Sequence, residues 1–404
     1  MTVTDRTAQA GAGPSPNPNS GGEDRFRRVV EGVIGVPATE GNRIDVLRNG
    51  DEIFPAMLEA LENAQSTIDF LTFVYWEGTI GREFARRLAE RARNGVRVRV
   101  LLDAFGAKPI EHSLVTEMQE AGVLVRWFRP LRRFHPNEVN HRTHRKVLVV
   151  DEAVGFVGGV GIADVWLGDA RNPSEWRDTH FRLRGPVVDG LRAAFLDNWS
   201  ETDSTLFDEA IDRFPDQPKP GSALAQCVRG ASEVGHSDVF TLFRTLCQIA
   251  RERLRITTAY FVPDAEIVER MCAAVQRGVV VEMLVPGPHA DKRFVQLAGE
   301  AAYEKLLDGG VKIWTYQPSM LHAKILTVDG VLAEIGSANL NARSTNLDEE
   351  INVVAIDRDL VATLDRHFDE DLEKSVLLEP GRWRHRSPLQ RVGEAVVAPI
   401  KRLF

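Results

Sequence analysis

Two segments of this 404-residue chain carry one sparse pattern, His-x-Lys-x4-Asp. The first is His144-Arg145-Lys146, an apolar run and Asp151. The second is His322-Ala323-Lys324, a similar run and Asp329. A small-residue turn follows each at the same spacing: Gly158-Gly159-Val160-Gly161 in the first, Gly336-Ser337-Ala338-Asn339 in the second. The two histidines are 178 residues apart. Such a recurrence signals a duplicated supersecondary unit. On an extended chain His-x-Lys puts both side chains on one face, because strand periodicity is two. The fold must therefore bring two copies of one unit together around these pairs.

The flanking pattern repeats as well. Phe54–Ala64 has helical spacing, Thr67–Trp76 reads as a strand, Ile80–Arg93 as an amphipathic helix closed by Asn94-Gly95, and Val96–Leu102 as a strand. Val123–Phe128 and Val147–Val150 read as further strands. In the second half the same order appears as Val239–Ile249, Leu254–Phe261, Asp264–Gln276, Val279–Val285 and Val311–Tyr316. Alternation of this kind implies an α/β fold: two pseudo-twofold-related α/β/α halves with mixed, mostly parallel sheets and one site at their interface. The expected organisation is a disordered leader (1–24), a basic-apolar N-terminal segment (25–41), a first half (42–214), a linker (215–222), a second half (223–375) and a basic tail (376–404). The N-terminal segment suits a short helix seated on the body or, by its basic and apolar faces, one lying on lipid. The same two readings apply to the tail, whose Leu389, Val392, Val396, Ile400 and Leu403 lie near helical spacing.

Composition narrows the function classes. A net charge of -8 argues against nucleic acid as the partner. Three scattered cysteines, without CxxC spacing, suit reduced thiols rather than a disulfide framework or a metal site. No apolar run is long enough to cross a membrane, and the leader has no signal-peptide core. Two imidazoles beside two ammonium groups do not make a metal cage. They suit a phosphate ester: the lysines stabilise non-bridging oxygens, one His attacks phosphorus, and the other protonates the leaving alkoxide. No metal and no cofactor are expected.

The paired motifs resemble those of the phospholipase D superfamily over nearly all of residues 41–373. Nearby segments are similar to bacterial cardiolipin synthases and their phospholipase D-like relatives: Thr72–Trp76, Asn140–Lys146, Trp176–His180, Tyr260–Pro263, Tyr316–His322 and Asn339–Ser344. The resemblance implies a metal-free, two-step exchange at a diester phosphorus through a phosphohistidine. It makes His144 the nucleophile and His322 the general acid, then base, with Lys146 and Lys324 on the phosphate. It matches Asp178 and Glu350 to the carboxylates that orient the imidazoles. Asp151 and Asp329 are left as motif supports, and Gly159, Ser337 and Asn339 as phosphate-binding positions. One departure is Gly161, where the family pattern has Asn.

The expected reaction is phosphatidyl transfer between two phosphatidylglycerol molecules, giving cardiolipin and glycerol. The expected setting is the inner, cytoplasmic face of a bacterial cell membrane, with the protein peripheral to it. The rivals are a phospholipase D hydrolase, a nucleic-acid phosphodiesterase of the same superfamily, and an inactive scaffold. His141 and His180, beside the motifs, either line the cleft or simply pack.

Overall fold

Each motif strand ends in a tight reversal, and this local feature sets the topology. The computed structural model of the protein describes residues 20–130, 140–203, 214–230, 237–386 and 393. β1 (Thr39–Arg48), β2 (Thr67–Thr72), β3 (Arg97–Asp103), β4 (Leu124–Phe128), β5 (Val147–Val150), β6 (Val154–Gly158) and β7 (Thr179–Arg184) form the first half. β8 (Ala223–Gly230), β9 (Arg253–Thr257), β10 (Val280–Pro286), β11 (Lys312–Tyr316), β12 (Ile325–Val328), β13 (Leu332–Gly336), β14 (Glu350–Ile356) and β15 (Ser375–Leu377) form the second. Strand order in the first half is β1-β7-β6-β5-β2-β3-β4, and in the second β8-β14-β13-β12-β9-β10-β11-β15. The orders correspond strand for strand up to β11. β1 and β8 pair antiparallel and join the halves into one 15-stranded sheet.

The sheet is mixed, but its parallel share is smaller than the sequence suggested. Among the described residues only β2–β3, β3–β4, β9–β10 and β10–β11 pair in parallel; every other named pairing is antiparallel. The reason is local. Parallel pairing needs a crossover, which the helices Thr79–Arg93, His112–Glu120 and Ala265–Gln276 supply. The motif strands instead turn back at once, β5 on β6 and β12 on β13, with Val150 opposite Val154 and Val328 opposite Leu332.

Both faces of each motif strand are covered, which explains their continuous apolar runs. Leu148 and Val150 enter the first half's own core, with Phe70, Phe84 and Phe156. Val147 and Val149 point the other way, into a cluster shared by both halves that includes Phe181, Ile335, Ile351 and Val353. That shared layer holds the two motif hairpins together.

The N-terminal helix spans Ser20–Ile34, so it begins inside the expected leader. Phe26, Val30 and Ile34 are buried in the core of the second half, so this apolar stripe covers protein, not lipid. β1 begins at Thr39, before the expected boundary. Residues 215–222 form no helix and lead into β8, with Gln217 donating to Glu152 O and Asp189 of the first half. The start of the tail also packs on the second half: the Trp383 ring lies 5.3 Å from Tyr303, and Arg384 and Arg386 pair with Asp308 and Glu304. The leader up to residue 19 and the tail positions Leu389, Val392, Val396, Ile400 and Leu403 lie outside the described residues. Among the described residues no helix is long and apolar enough to cross a membrane.

Candidate active site

Asp151 and Asp329 close the two motif hairpins. Both have left-handed backbone, φ 50° and 52°, which Asp tolerates better than most residues. Each carboxylate faces away from the histidines, towards the loop before a neighbouring strand. Asp151 accepts the backbone N–H of Gln65, Ser66 and Thr67 and the Ser66 hydroxyl. Asp329 accepts the N–H of Arg251, Glu252 and Arg253. These bonds tie β5 to β2 and β12 to β9, fixing where each motif strand starts and ends.

The histidines lie at the other end, on extended chain just before β5 and β12, and each is held by the opposite half. The His144 N–H donates to Glu349 O at 2.8 Å, and the His322 N–H to Arg177 O at 2.7 Å. The carboxylates are crossed in the same way. His144 Nδ1 meets the two Glu350 oxygens at 3.0 and 3.1 Å, and His322 Nδ1 meets Asp178 Oδ2 at 2.7 Å. Asp178 and Glu350 start or immediately precede β7 and β14, each next to its own half's Gly turn. Neither half therefore holds a complete histidine–carboxylate pair by itself.

Burial sets the charge states. His144 is lowered to about 4, first by burial and then by Lys146, against the pull of Glu350. His322 is pushed well down by burial and by Lys324 and Lys146. Both rings are therefore neutral near pH 7. Burial acts to raise Glu350, but the imidazole of His144 and the ammonium of Lys146 hold it at about 2, so it is ionised. Asp178 is raised by burial despite Lys324. Lys146 is lowered to about 8 and Lys324 to about 7, each mainly by burial. Lys146 donates to His144 O at 2.7 Å, and Lys324 lies 2.9 Å from His322 Nδ1 and also bonds His322 O.

The surroundings of the two rings differ. His144 rests against Phe73, with ring centroids 5.2 Å apart, and lines an open cleft of about 470 Å³. His322 sits deeper, among Trp166, Trp176 and Tyr260 at 5.4, 5.3 and 6.0 Å. The cleft has an aromatic side, with Phe73, Tyr260 and Phe294, and a polar side, with Asn339, Arg343 and Asp348.

The Gly turns pack beside the carboxylates that hold the imidazoles. Gly159 and Ser337 touch the orienting carboxylates. A Cβ at Gly159 would fall 2.4 Å from Asp178 Oδ1, so only glycine leaves room for that side chain. Ser337 is fully buried; its hydroxyl donates to Glu350 Oε2 at 2.5 Å and accepts the Ile351 N–H. In the first half the Trp166 indole N–H donates to Asp178 Oδ2 at 3.0 Å and takes the place of that hydroxyl. Asn339 does line the cleft, and its Oδ1 is buried without a partner among the described residues. Gly161 has no such option: a Cβ there would fall 2.6 Å from Val74 Cβ, so the volume of the family's Asn is already filled.

The family profile described as "Cardiolipin synthase, PLD-like domain" matches residues 57–164 and 244–372, which contain both motifs. The chain belongs to this phospholipase D-like cardiolipin synthase family. It is 34% identical to "Cardiolipin synthase" of Geobacillus kaustophilus, over 89% of this chain and 72% of that one. It is 35% identical to "Cardiolipin synthase A" of Pseudomonas aeruginosa, over 90% of this chain and 74% of that one. Its fold is similar to that of a phosphatidylserine synthase from Haemophilus influenzae, with TM-score 0.73 and 16% identity, covering 94% of this chain and all of the other. Membership of the cardiolipin synthase family makes the protein a phosphatidyltransferase-class enzyme acting on phospholipid.

Sequence reasoning missed several residues of the family site here. Trp166 carried no signal beyond its position after the Gly turn. Arg142 and Arg145, inside a motif segment, are buried supports: Arg142 pairs with Asp103 at 3.0 Å, and Arg145 bonds the carbonyls of Ala194, Gly230 and Glu350. Of the two open histidines, His141 reaches Leu347 O at 3.2 Å and His180 is buried beside Asp178; neither lines the cleft.

Proposed function

We propose that the protein makes cardiolipin and glycerol from two molecules of phosphatidylglycerol. The observation that carries this reading is the crossed pair, His144 on Glu350 and His322 on Asp178, beside two buried lysines at a cleft with an aromatic wall. Glu350 accepts a hydrogen bond from the Nδ1–H of His144, which leaves the Nε2 lone pair to attack phosphorus. The bond from phosphorus to the glycerol oxygen breaks, and that oxygen takes a proton from His322. A phosphate entering the site brings negative charge to the neutral His322 ring, which raises its proton affinity so that it takes up from water the proton it then gives. In the second step His322 takes the proton from a hydroxyl of the second phosphatidylglycerol. That oxygen attacks the phosphatidyl-His144, and cardiolipin leaves with the histidine restored. Lys146, Lys324 and Asn339 are the groups that meet the non-bridging oxygens.

The same reading has the enzyme peripheral at the inner, cytoplasmic face of the cell membrane. Phe105 and Phe294, from different halves, line the cleft and are 58% and 46% exposed, which suits a rim facing lipid. Cys227, Cys247 and Cys272 are free thiols, as a reducing compartment favours.

The test is to supply phosphatidylglycerol vesicles to the purified protein and identify products by mass spectrometry. Cardiolipin with free glycerol is expected. Phosphatidic acid in its place would make the enzyme a hydrolase, and absence of turnover would refute the reading.

A further inference from the structure

The cleft contains a carboxylate that the transfer chemistry does not use. Asp348 is 7% exposed and lines the cleft together with His144 and Asn339. Its Oδ2 accepts from Arg343 Nε at 2.9 Å, and Arg343 is itself tied to Asn140. Its Oδ1 is buried and has no hydrogen-bond partner among the described residues. A buried acceptor left unpaired is costly, and native structures rarely tolerate one unless something else fills it. Burial also raises this carboxyl to about 7 in spite of Arg343, as expected of a group short of donors.

We propose that Asp348 is a specificity residue that receives a free hydroxyl of the glycerol headgroup. The inference rests on the phosphatidylglycerol reading above and deepens it. The ligand chemistry follows from the neighbours. In the ionised carboxylate only a donor can satisfy Oδ1. An ammonium headgroup would also have to sit beside Lys292 and Arg343, which line the same cleft, whereas a neutral polyol meets no such repulsion. The free hydroxyls of phosphatidylglycerol sit on the second and third carbons counted from the ester oxygen that leaves. A headgroup bonded to Asp348 therefore keeps its phosphate in the same cleft as His144. A headgroup without hydroxyls leaves the acceptor empty, and a site built to bond a hydroxyl discriminates against an analogue that lacks it.

The experiment is a competition in one vesicle between equal amounts of phosphatidylglycerol and phosphatidylpropanol, counting the glycerol and propanol released. Phosphatidylglycerol serves as acceptor for both donors. The release ratio does not depend on how much protein is folded, so a poorly folding variant still reports. Asp348→Asn keeps the volume and the Arg343 bond but turns an NH2 group towards the cleft; Asp348→Ala removes the group. Wild type should favour glycerol release. Both variants should lower the glycerol-to-propanol ratio by about 10- to 100-fold, the value of a hydrogen bond to a charged acceptor. A wild type with no preference, or variants that keep the wild-type ratio, would overturn the proposal. The acceptor reading is judged separately, by whether the phosphatidyl group from phosphatidylglycerol ends in cardiolipin or phosphatidic acid. If wild type releases neither headgroup, both readings fall.

Discussion

Because the carboxylates are crossed, damage to one half's acid should disable the other half's histidine. Glu350→Gln is the sharpest case. The buried Glu350 carboxylate holds His144 Nδ1 at 3.0 Å and accepts the Ser337 hydroxyl at 2.5 Å. A glutamine must divide one oxygen and one NH2 between these neighbours. If its oxygen keeps the hydroxyl, its NH2 donates to Nδ1 and the ring proton moves to Nε2, the atom that must attack. Enforcing the wrong tautomer in this way costs about 10⁴-fold in a serine protease triad. The opposite amide orientation recovers the tautomer but loses the Ser337 bond, so a fall of about 10³- to 10⁴-fold is expected in phosphatidyl transfer to His144. Asp178→Asn should instead weaken His322, whose task in that step is to protonate the leaving oxygen. A phosphatidyl ester of p-nitrophenol releases a phenolate that needs no such proton. In rapid-mixing experiments Glu350→Gln should therefore lose the nitrophenolate burst. Asp178→Asn should keep a burst rate within about tenfold of wild type, because the general-acid contribution is bypassed. Steady-state transfer to a lipid alcohol should suffer in both. If Asp178→Asn erases the burst and Glu350→Gln preserves it, the nucleophile is His322 and the reasoning fails.

The pH profile of kcat/KM should rise through about 4, as His144 loses its proton and becomes able to attack, fall as His322, pushed well below the usual histidine range, loses the proton it must donate, and fall further above about 7 to 8, as Lys324 and Lys146 lose theirs. An activity that keeps climbing past the lysine values would show that the ammonium groups are dispensable. Asp151→Ala orphans three backbone N–H groups and strains a left-handed position, so it should cost about 2–4 kcal/mol in urea unfolding. Asp151→Asn, which suits that backbone, should cost less, with turnover per folded molecule unchanged; a folded but inactive Asn variant would give Asp151 a chemical role. Gly161→Asn should not restore a family feature but destabilise the protein by about 1–3 kcal/mol through the clash with Val74. A thermal melt at or above the wild-type midpoint would contradict that.

Much of the site was legible because its signals are local. Strand periodicity placed His144 with Lys146 and His322 with Lys324, and the apolar runs after them marked buried strands. The Asp turns were recognisable as supports, since a carboxylate at a hairpin end reaches the backbone beside it. The family resemblance also picked out Asp178 and Glu350. It did not show that each serves the other half's histidine, because that depends on pairing between Thr143 and Glu349 and between Arg177 and Leu321, each some 140 or more residues apart. The share of antiparallel pairing was misread because strand-helix alternation is visible in sequence whereas a three-residue hairpin turn is not.

The sequence alone therefore determined the duplicated unit, the chemical groups and the family, all of which are encoded at short spacing or by repetition. The tertiary structure decided which histidine faces the cleft and which is enclosed by tryptophans. It also decided why Gly159 and Gly161 cannot be larger: Asp178 and Val74 already occupy the space. Those outcomes depend on excluded volume and on hydrogen bonds between segments distant in the chain. Such contacts exist only once the two halves have closed on each other.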